Sequence, residues 1–221
     1  MSFASGHAAR AAVPLDGIDP DGDSVSLVGL NQAPSLGSVE VNSSWLTYKP
    51  AEGATGIVMD VHTGEVIALV SLPDFDPNNP VDALEKDRIN RMNVGVYEMG
   101  STFKAMTLAM ALDSGKVQLS STFDARASLR YGKFTIHDYH AQNRFLTVPE
   151  IFTYSSNIGT ARMALSLGVE YHKWFLRKMG QLDRLRTELP ESAEPIVPKR
   201  WGELNSATIA FGHGLSVAPL Q

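Results

Sequence analysis

The chain has 221 residues, 43% of them hydrophobic, a net charge of -5 and no cysteine. That length suits one sizeable domain, alone or with a small appendage, and the apolar content excludes wholesale disorder. The acidic balance excludes a dedicated nucleic-acid binder, and the lack of cysteine excludes a disulfide framework and a thiolate metal site without fixing a compartment.

No run approaches the length of a membrane span, and "MSFASGHAARAAVPLDG" has too weak an apolar centre for a signal peptide. The sequence as written therefore reads as carrying neither export signal nor membrane anchor. Residues 1–55 are rich in Gly, Asp, Ser, Asn and Pro with short alternating apolar runs. Val39, Val41, Leu46 and Tyr48 have strand spacing, with "NSS" as the turn between them. The acidic cluster Asp19, Asp21 and Asp23 is open to two readings, a solvated turn or a calcium site; the later ligands of a calcium loop are missing.

From Gly56 the texture changes. "GIVMDVHTGEVIALVSLPDFDPNNP" predicts two β-branched strands joined at "HTGE", followed by a polar loop. "VYEMGSTFKAMTLAMALDSGK" predicts a helix apolar on nearly every side, closed by Gly115 and Lys116. "IHDYHAQNRF" offers His137, Asp138 and His140, either a metal cluster or an ordinary loop. "TVPEIFTYSS" predicts a helix with Thr147 as N-cap, Pro149 in its first turn and Glu150 completing a capping box. "NIGTARMALSLG" and "VEYHKWFLRKMG" predict two more helices. The second places Tyr171, Trp174, Phe175 and Met179 on one face and ends at Gly180. The chain closes with an apolar segment, a Gly-His-Gly turn in which His213 is a turn residue, and a helical start near Pro219.

Lys104 is out of place in this pattern, because an ammonium is costly to bury. Residues three apart on a helix lie side by side, so Ser101 faces Lys104. Burial pushes a lysine towards its neutral form, which can take a serine proton, and a helix start favours developing negative charge. Ser-x-x-Lys also occurs by chance, and Ser is a common N-cap. Here it is the only such motif, and "SSN" (Ser155, Ser156, Asn157) follows between two predicted helices.

Ser-x-x-Lys followed by Ser-x-Asn is the motif order of penicillin-recognising serine enzymes. Together with "IVMDVHTGEVIALVSLPDFDPNNP", "NRMNVGVYEMGSTFK", "IHDYHAQNRFLTVPEIFTYSSNIGTARMAL" and "TIAFGHGLSVAPLQ", these residues resemble a class B penicillin-binding protein of the cell-division type, over about Gly56 to Gln221. The N-terminal piece resembles part of a bacterial Ig-like or cadherin-like repeat. The fold class expected is α/β (α+β): an incomplete transpeptidase domain at 56–221, mainly helical with a β-hairpin, after a small β-rich segment at 1–55.

The resemblance implies a serine-type D,D-transpeptidase of peptidoglycan cross-linking. Ser101 would be the nucleophile and Lys104 its base. Ser155 would relay a proton to the leaving amine. Asn157 would hold a substrate amide and orient Lys104; Ser101, Ser155 and Asn157 would contact substrate. The implied partners are stem peptides ending in D-Ala-D-Ala, β-lactams that mimic them, and division proteins. No cofactor, metal or nucleic acid is implied, and the family works at the periplasmic face of the inner membrane.

The sequence departs from the family in three places. Met99 stands where a Pro usually precedes Gly-Ser. The family's own N-terminal module is replaced by the repeat-like piece. No Lys-Thr-Gly or Lys-Ser-Gly occurs in the 221 residues. That motif's strand would clamp the substrate carboxylate and complete the oxyanion hole, where one donor is worth about 3–4 kcal/mol. The expectation is an impaired enzyme that penicillin labels weakly and slowly. Two other classes stay open: a non-catalytic scaffold fragment, and a serine β-lactamase or D,D-carboxypeptidase, which the flanking sequences disfavour.

Overall fold

A computed structural model describes residues 53–221 in full and, before them, the backbone of three short strands. Contacts within the chain gather into two compact units, Met1–Met92 and Asn93–Gln221.

In the first unit, β1 (Arg10–Ala11), β2 (Ser38–Asn42) and β3 (Trp45–Lys49) form an antiparallel sheet in the order β1-β3-β2. Val39 pairs with Tyr48 and Val41 with Leu46, the register that the alternating pattern predicts. Asp19, Asp21 and Asp23 lie outside the described residues, as does most of the repeat-like segment. β4 (Ala54–Met59) and β5 (Val66–Leu72) form the second predicted hairpin. The Asp60 carboxylate organises its turn by accepting from the backbone N–H of His62 and Thr63 at 2.8 and 2.9 Å. Those two bonds hold the Asp60 carboxyl below its ordinary value. Gly64 closes the turn at φ 76°, where a side chain would be strained.

The second unit is mainly helical. A 3-10 turn, Gly100–Phe103, runs into α1 (Lys104–Asp113). Then come β6 (Thr122–Asp124), β7 (Leu129–Tyr131), β8 (Phe134–Ile136) and β9 (Phe145–Thr147). Four helices follow: α2 (Val148–Thr153), α3 (Asn157–Leu167), α4 (Val169–Lys178) and α5 (Glu203–Ile209). β6 pairs with β9 and β7 with β8, both antiparallel. These strands add to the one hairpin expected for this segment. At three residues each they are too short for alternation to show; β6 and β9 pair at a distance, while β7 and β8 form a tight hairpin across Gly132 and Lys133.

The core forms around α3, which packs on α1, α4 and α5. Its Ile158, Met163 and Ala164 are buried with Met110 of α1, Ile151 of α2 and Ile209 of α5. The predicted capping box at α2 is present: Glu150 N–H donates to Thr147 Oγ1 at 3.4 Å, and Thr147 N–H donates to Glu150 Oε2 at 2.8 Å. Such a cap is worth about 1 kcal/mol.

The apolar face read for α4 is only in part the one that the fold buries. The structure buries His172, Phe175 and Leu176 and leaves Trp174 50% and Met179 44% exposed. His172 completes an i, i+3, i+4 stripe because Trp201 packs edge-on against its ring, centroids 5.9 Å apart. Hydrophobicity alone does not put a histidine on that stripe.

Burial lowers the His172 pKa to about 4, and its Nδ1 has no hydrogen-bond partner. The unfolded chain binds that proton near pH 6.5 and the folded chain only near 4. The stability from His172 is thus fully present above pH 6.5 and is lost as pH falls through that window, roughly 3 kcal/mol in all. In His172→Phe, denaturant midpoints measured at pH 7 and pH 4 should differ less than in the wild type; an unchanged difference would show the histidine is not buried neutral.

Candidate functional site

The turn that presents Ser101 is fixed from outside its own segment. Gly100 has φ 55° and its N–H donates to the Gly212 carbonyl at 3.1 Å. Gly212 has φ 85°, and a Cβ there would lie 2.0 Å from the Gly100 oxygen, so backbone lies directly on backbone. Beside this contact Tyr97 and Val217 form an antiparallel bridge. The Glu98 carboxylate accepts from Gly214 N–H at 2.6 Å and pairs with His213 Nδ1 at 2.9 Å. Those two partners, His213 first, hold the Glu98 carboxyl below its usual value. His213 is therefore a turn residue, as read, and its partner Glu98 carries no signature in the sequence.

Ser101 is exposed, while Lys104, the first residue of α1, is 2% exposed. Desolvation lowers the Lys104 pKa to about 8, against an opposing pull from the Asp138 charge. Its ammonium donates to two acceptors on one residue, the carbonyl of Ser155 at 2.5 Å and its Oγ at 2.7 Å. Ser155 Oγ in turn donates to Ser101 Oγ at 3.2 Å. Three of the four predicted residues thus form one chain of hydrogen bonds, with Ser155 between the Lys104 amine and the Ser101 hydroxyl.

Ser155 reaches this position through a left-handed backbone, φ 53°, in the connection from α2 to α3. That conformation costs an L-residue about 1–2 kcal/mol, and it turns both the carbonyl and the hydroxyl of Ser155 to the same amine. The next residue starts α3: Ser156 Oγ accepts from Gly159 N–H at 2.9 Å and donates to Asp138 Oδ2 at 2.7 Å.

The fourth predicted residue is placed differently. Asn157 donates through Nδ2 to the His137 carbonyl at 3.0 Å rather than to Lys104 or either hydroxyl. The three residues read as a possible metal cluster also have separate roles. His137 Nδ1 lies 2.8 Å from Ser128 Oγ. Asp138 accepts from Ser156 Oγ and, at 2.8 Å, from Ile158 N–H. His140 stacks edge-on against Tyr139. Among the described residues no three His, Cys, Asp or Glu side chains are grouped to hold a metal ion.

An exposed hydroxyl, a second hydroxyl and a buried amine of lowered pKa can together remove a proton from Ser101 and return it to a leaving group.

Residues 54–221 match the family described as the penicillin binding protein transpeptidase domain. The chain is 44% identical over 169 residues to a probable peptidoglycan D,D-transpeptidase FtsI of Caulobacter vibrioides, covering 76% of this chain and 29% of that protein. It is 33% identical over 215 residues to a probable peptidoglycan D,D-transpeptidase PenA of Neisseria flavescens, covering 96% of this chain and 52% of that one. The second match extends into the residues before 54. Among solved structures, the transpeptidase domain of Burkholderia pseudomallei penicillin-binding protein 3 superposes with a TM-score of 0.63 at 29% identity, over 75% of this chain and 46% of that one. The chain spans between 29% and 52% of the length of these two curated relatives.

The left-handed turn at Ser155 separates strain from chemistry. Ser155→Gly should relieve the strain and Ser155→Ala should keep it, while both remove the hydroxyl. Ser155→Gly should therefore be more stable than Ser155→Ala by about 1 kcal/mol in denaturant titrations. Equal stabilities would show that the backbone at this position is not strained.

Proposed function

The chain belongs to the family of penicillin-binding protein transpeptidase domains, and on that premise we propose that it carries the acylation site of a peptidoglycan D,D-transpeptidase, with Ser101 as nucleophile and Lys104 as base. The observation that carries this reading is the continuous path Ser101 Oγ–Ser155 Oγ–Lys104 Nζ, with an exposed hydroxyl at one end and a buried amine at the other. Relatives are named as peptidoglycan D,D-transpeptidases, and the substrate that the family resemblance implies is a stem peptide ending in D-Ala-D-Ala.

In the acylation step Ser101 Oγ attacks the carbonyl carbon of the penultimate D-Ala. Its proton passes through Ser155 Oγ to the neutral Lys104 amine. The proton then returns along the same path to the departing D-Ala nitrogen, leaving an ester on Ser101. The amine of a second stem peptide attacks that ester and restores the hydroxyl, giving a 4,3 cross-link. A β-lactam opens its ring on the same serine. Asn157, two residues from Ser155 and held by the His137 carbonyl, is assigned to the substrate amide.

We place the start of the transpeptidase segment near residue 54, where the family match begins. The parent protein is assigned to cross-linking at division, on the periplasmic face of the inner membrane with division proteins as partners, by its resemblance to division-type members. Among the described residues no helix is long and apolar enough to cross a membrane.

The test is mass spectrometry of the chain after prolonged incubation with benzylpenicillin, across pH. An adduct should form on Ser101, and its rate should rise with pH through about 8 and level off as Lys104 loses its proton. Lys104→Ala should lower that rate by about 10²–10⁴-fold. A wild type that gains no adduct, or a Lys104→Ala protein labelled as fast as wild type, would overturn the assignment; rapid release of the adduct as hydrolysed penicillin would move the chain to the β-lactamase class.

A further inference from the structure

The segment "HDYH" joins β8 to β9, and its Asp138 has no part in the acylation path. It nevertheless bonds two of the three residues that follow Ser155, Ser156 and Ile158. One carboxylate oxygen accepts from the Ser156 hydroxyl at 2.7 Å and the other from the Ile158 backbone N–H at 2.8 Å. The preceding carbonyl, of His137, takes the Asn157 amide at 3.0 Å. Residues 156, 157 and 158 are therefore all held by 137 and 138. Ser156 and Ile158 are buried, so these bonds are shielded from solvent. The two accepted bonds satisfy donors at the start of α3, and a negative charge there also suits the helix N-terminus. Neither reason fully accounts for an acid at this place, because Ser156 already caps α3 through Gly159 N–H.

We propose that Asp138 is the positioning residue of this site: its carboxylate holds the Ser155–Asn157 turn in register. The proposal rests on the reading of Ser101 and Lys104 given above and extends it to a residue that touches neither substrate nor nucleophile. Ser155 can offer its carbonyl and its hydroxyl to one amine only while its left-handed backbone is kept, and the residues that follow it are those Asp138 binds.

The charge has a second effect. Of the acids and bases around Lys104, the others are engaged elsewhere. Glu98 faces His213 behind the Ser101 turn. His137 faces Ser128. Arg162 of α3 acts on Asp124 and Tyr131, and His172 of α4 lies under Trp201. Asp138 is the charge felt at Lys104, and it opposes the desolvation that lowers the lysine's pKa. It keeps the base strong enough to take a proton from a serine hydroxyl, at the cost of deprotonating less of it at neutral pH.

The charge and the bonds separate by mutation. In protein carrying 13C-labelled lysine, with the Lys104 signal assigned by its loss in Lys104→Ala, the titration midpoint of Lys104 is read by NMR. Asp138→Asn keeps the shape and an acceptor oxygen but removes the charge, so the midpoint should fall below the wild-type value of about 8. Ser156→Ala removes one bond to Asp138 and keeps the charge, so it should lower thermal stability and leave the midpoint in place. An Asp138→Asn midpoint equal to wild type overturns the electrostatic role. If Asp138→Asn does not fold, Asp138→Glu tests the positioning role: charge kept and oxygens displaced, it should titrate near wild type yet label Ser101 more slowly with benzylpenicillin. Unimpaired labelling in Asp138→Glu overturns that role. A wild type that never labels would refute the assignment of Ser101 as nucleophile, while the lysine titrations would still decide the charge.

Discussion

The site depends on how one buried amine is satisfied. Lys104 is removed from water at the start of α1, and an amine so placed must find acceptors or lose its proton. Both acceptors come from Ser155, its carbonyl and its hydroxyl. A single residue can aim both groups at one nitrogen only from an unusual backbone, which explains why the α2–α3 connection is left-handed at a residue that is not glycine. The strain is offset by what surrounds it. α3 is capped beside it by Ser156 and Asp138, and the box of Thr147 and Glu150 fixes the far, N-terminal end of α2. The link between α2 and α3 is only three residues, 154–156, and with its α3 end fixed it has little freedom to relax.

The same constraint explains the arrangement around Ser101. For the hydrogen-bond path to close, the 3-10 turn must hold Ser101 beside Ser155, and a short turn does not fix its own orientation. The segment after α5 does so, through Gly212 on Gly100, Glu98 on Gly214 and the bridge from Tyr97 to Val217. A methyl group at Gly212 has no space, and its backbone is one that L-residues avoid. The Thr107 hydroxyl, buried one turn into α1, reaches the Ala210 carbonyl at 2.7 Å and ties the same two segments again. Three stretches far apart in sequence, 97–104, 137–158 and 210–217, thus converge on two hydroxyls and an amine. Such non-local closure makes the site sensitive to changes that never touch it.

Much of this is legible in the sequence, and the limits have physical causes. Lys104 in an apolar helix announces itself, since helical periodicity leaves a charge there unexplained. The capping box at Thr147 and the hairpin at 54–72 are local signals, and they appear where they were expected. Asn157 shows where local reading ends. Motif order places it near Ser155, but only the folded β8–β9 loop gives its amide the His137 carbonyl. Asp138 stood out in the sequence for the wrong reason, as one of three possible metal ligands, because spacing along a loop says nothing about where each side chain turns. Glu98 gave no sign at all; its partners lie more than a hundred residues away. His172 was missed because a histidine looks polar in a hydrophobicity pattern, while in the fold it behaves as a neutral aromatic against Trp201.

The placement of Ser155 between the other two groups has a consequence for how such a site works. A direct contact between Lys104 and Ser101 would require either a nucleophile buried with the amine or an amine exposed with the nucleophile. The first closes the site to a peptide substrate; the second returns the lysine towards its ordinary pKa, where it is no base at neutral pH. An intervening hydroxyl, able to donate and accept at once, removes the conflict. Ser101 stays at the surface and Lys104 stays dry, and in the proposed acylation the proton crosses the boundary along two hydrogen bonds of 3.2 and 2.7 Å. On the proposed reading burial sets the strength of the base and exposure sets access to the nucleophile, while the left-handed turn at Ser155 lets one short chain segment meet both demands.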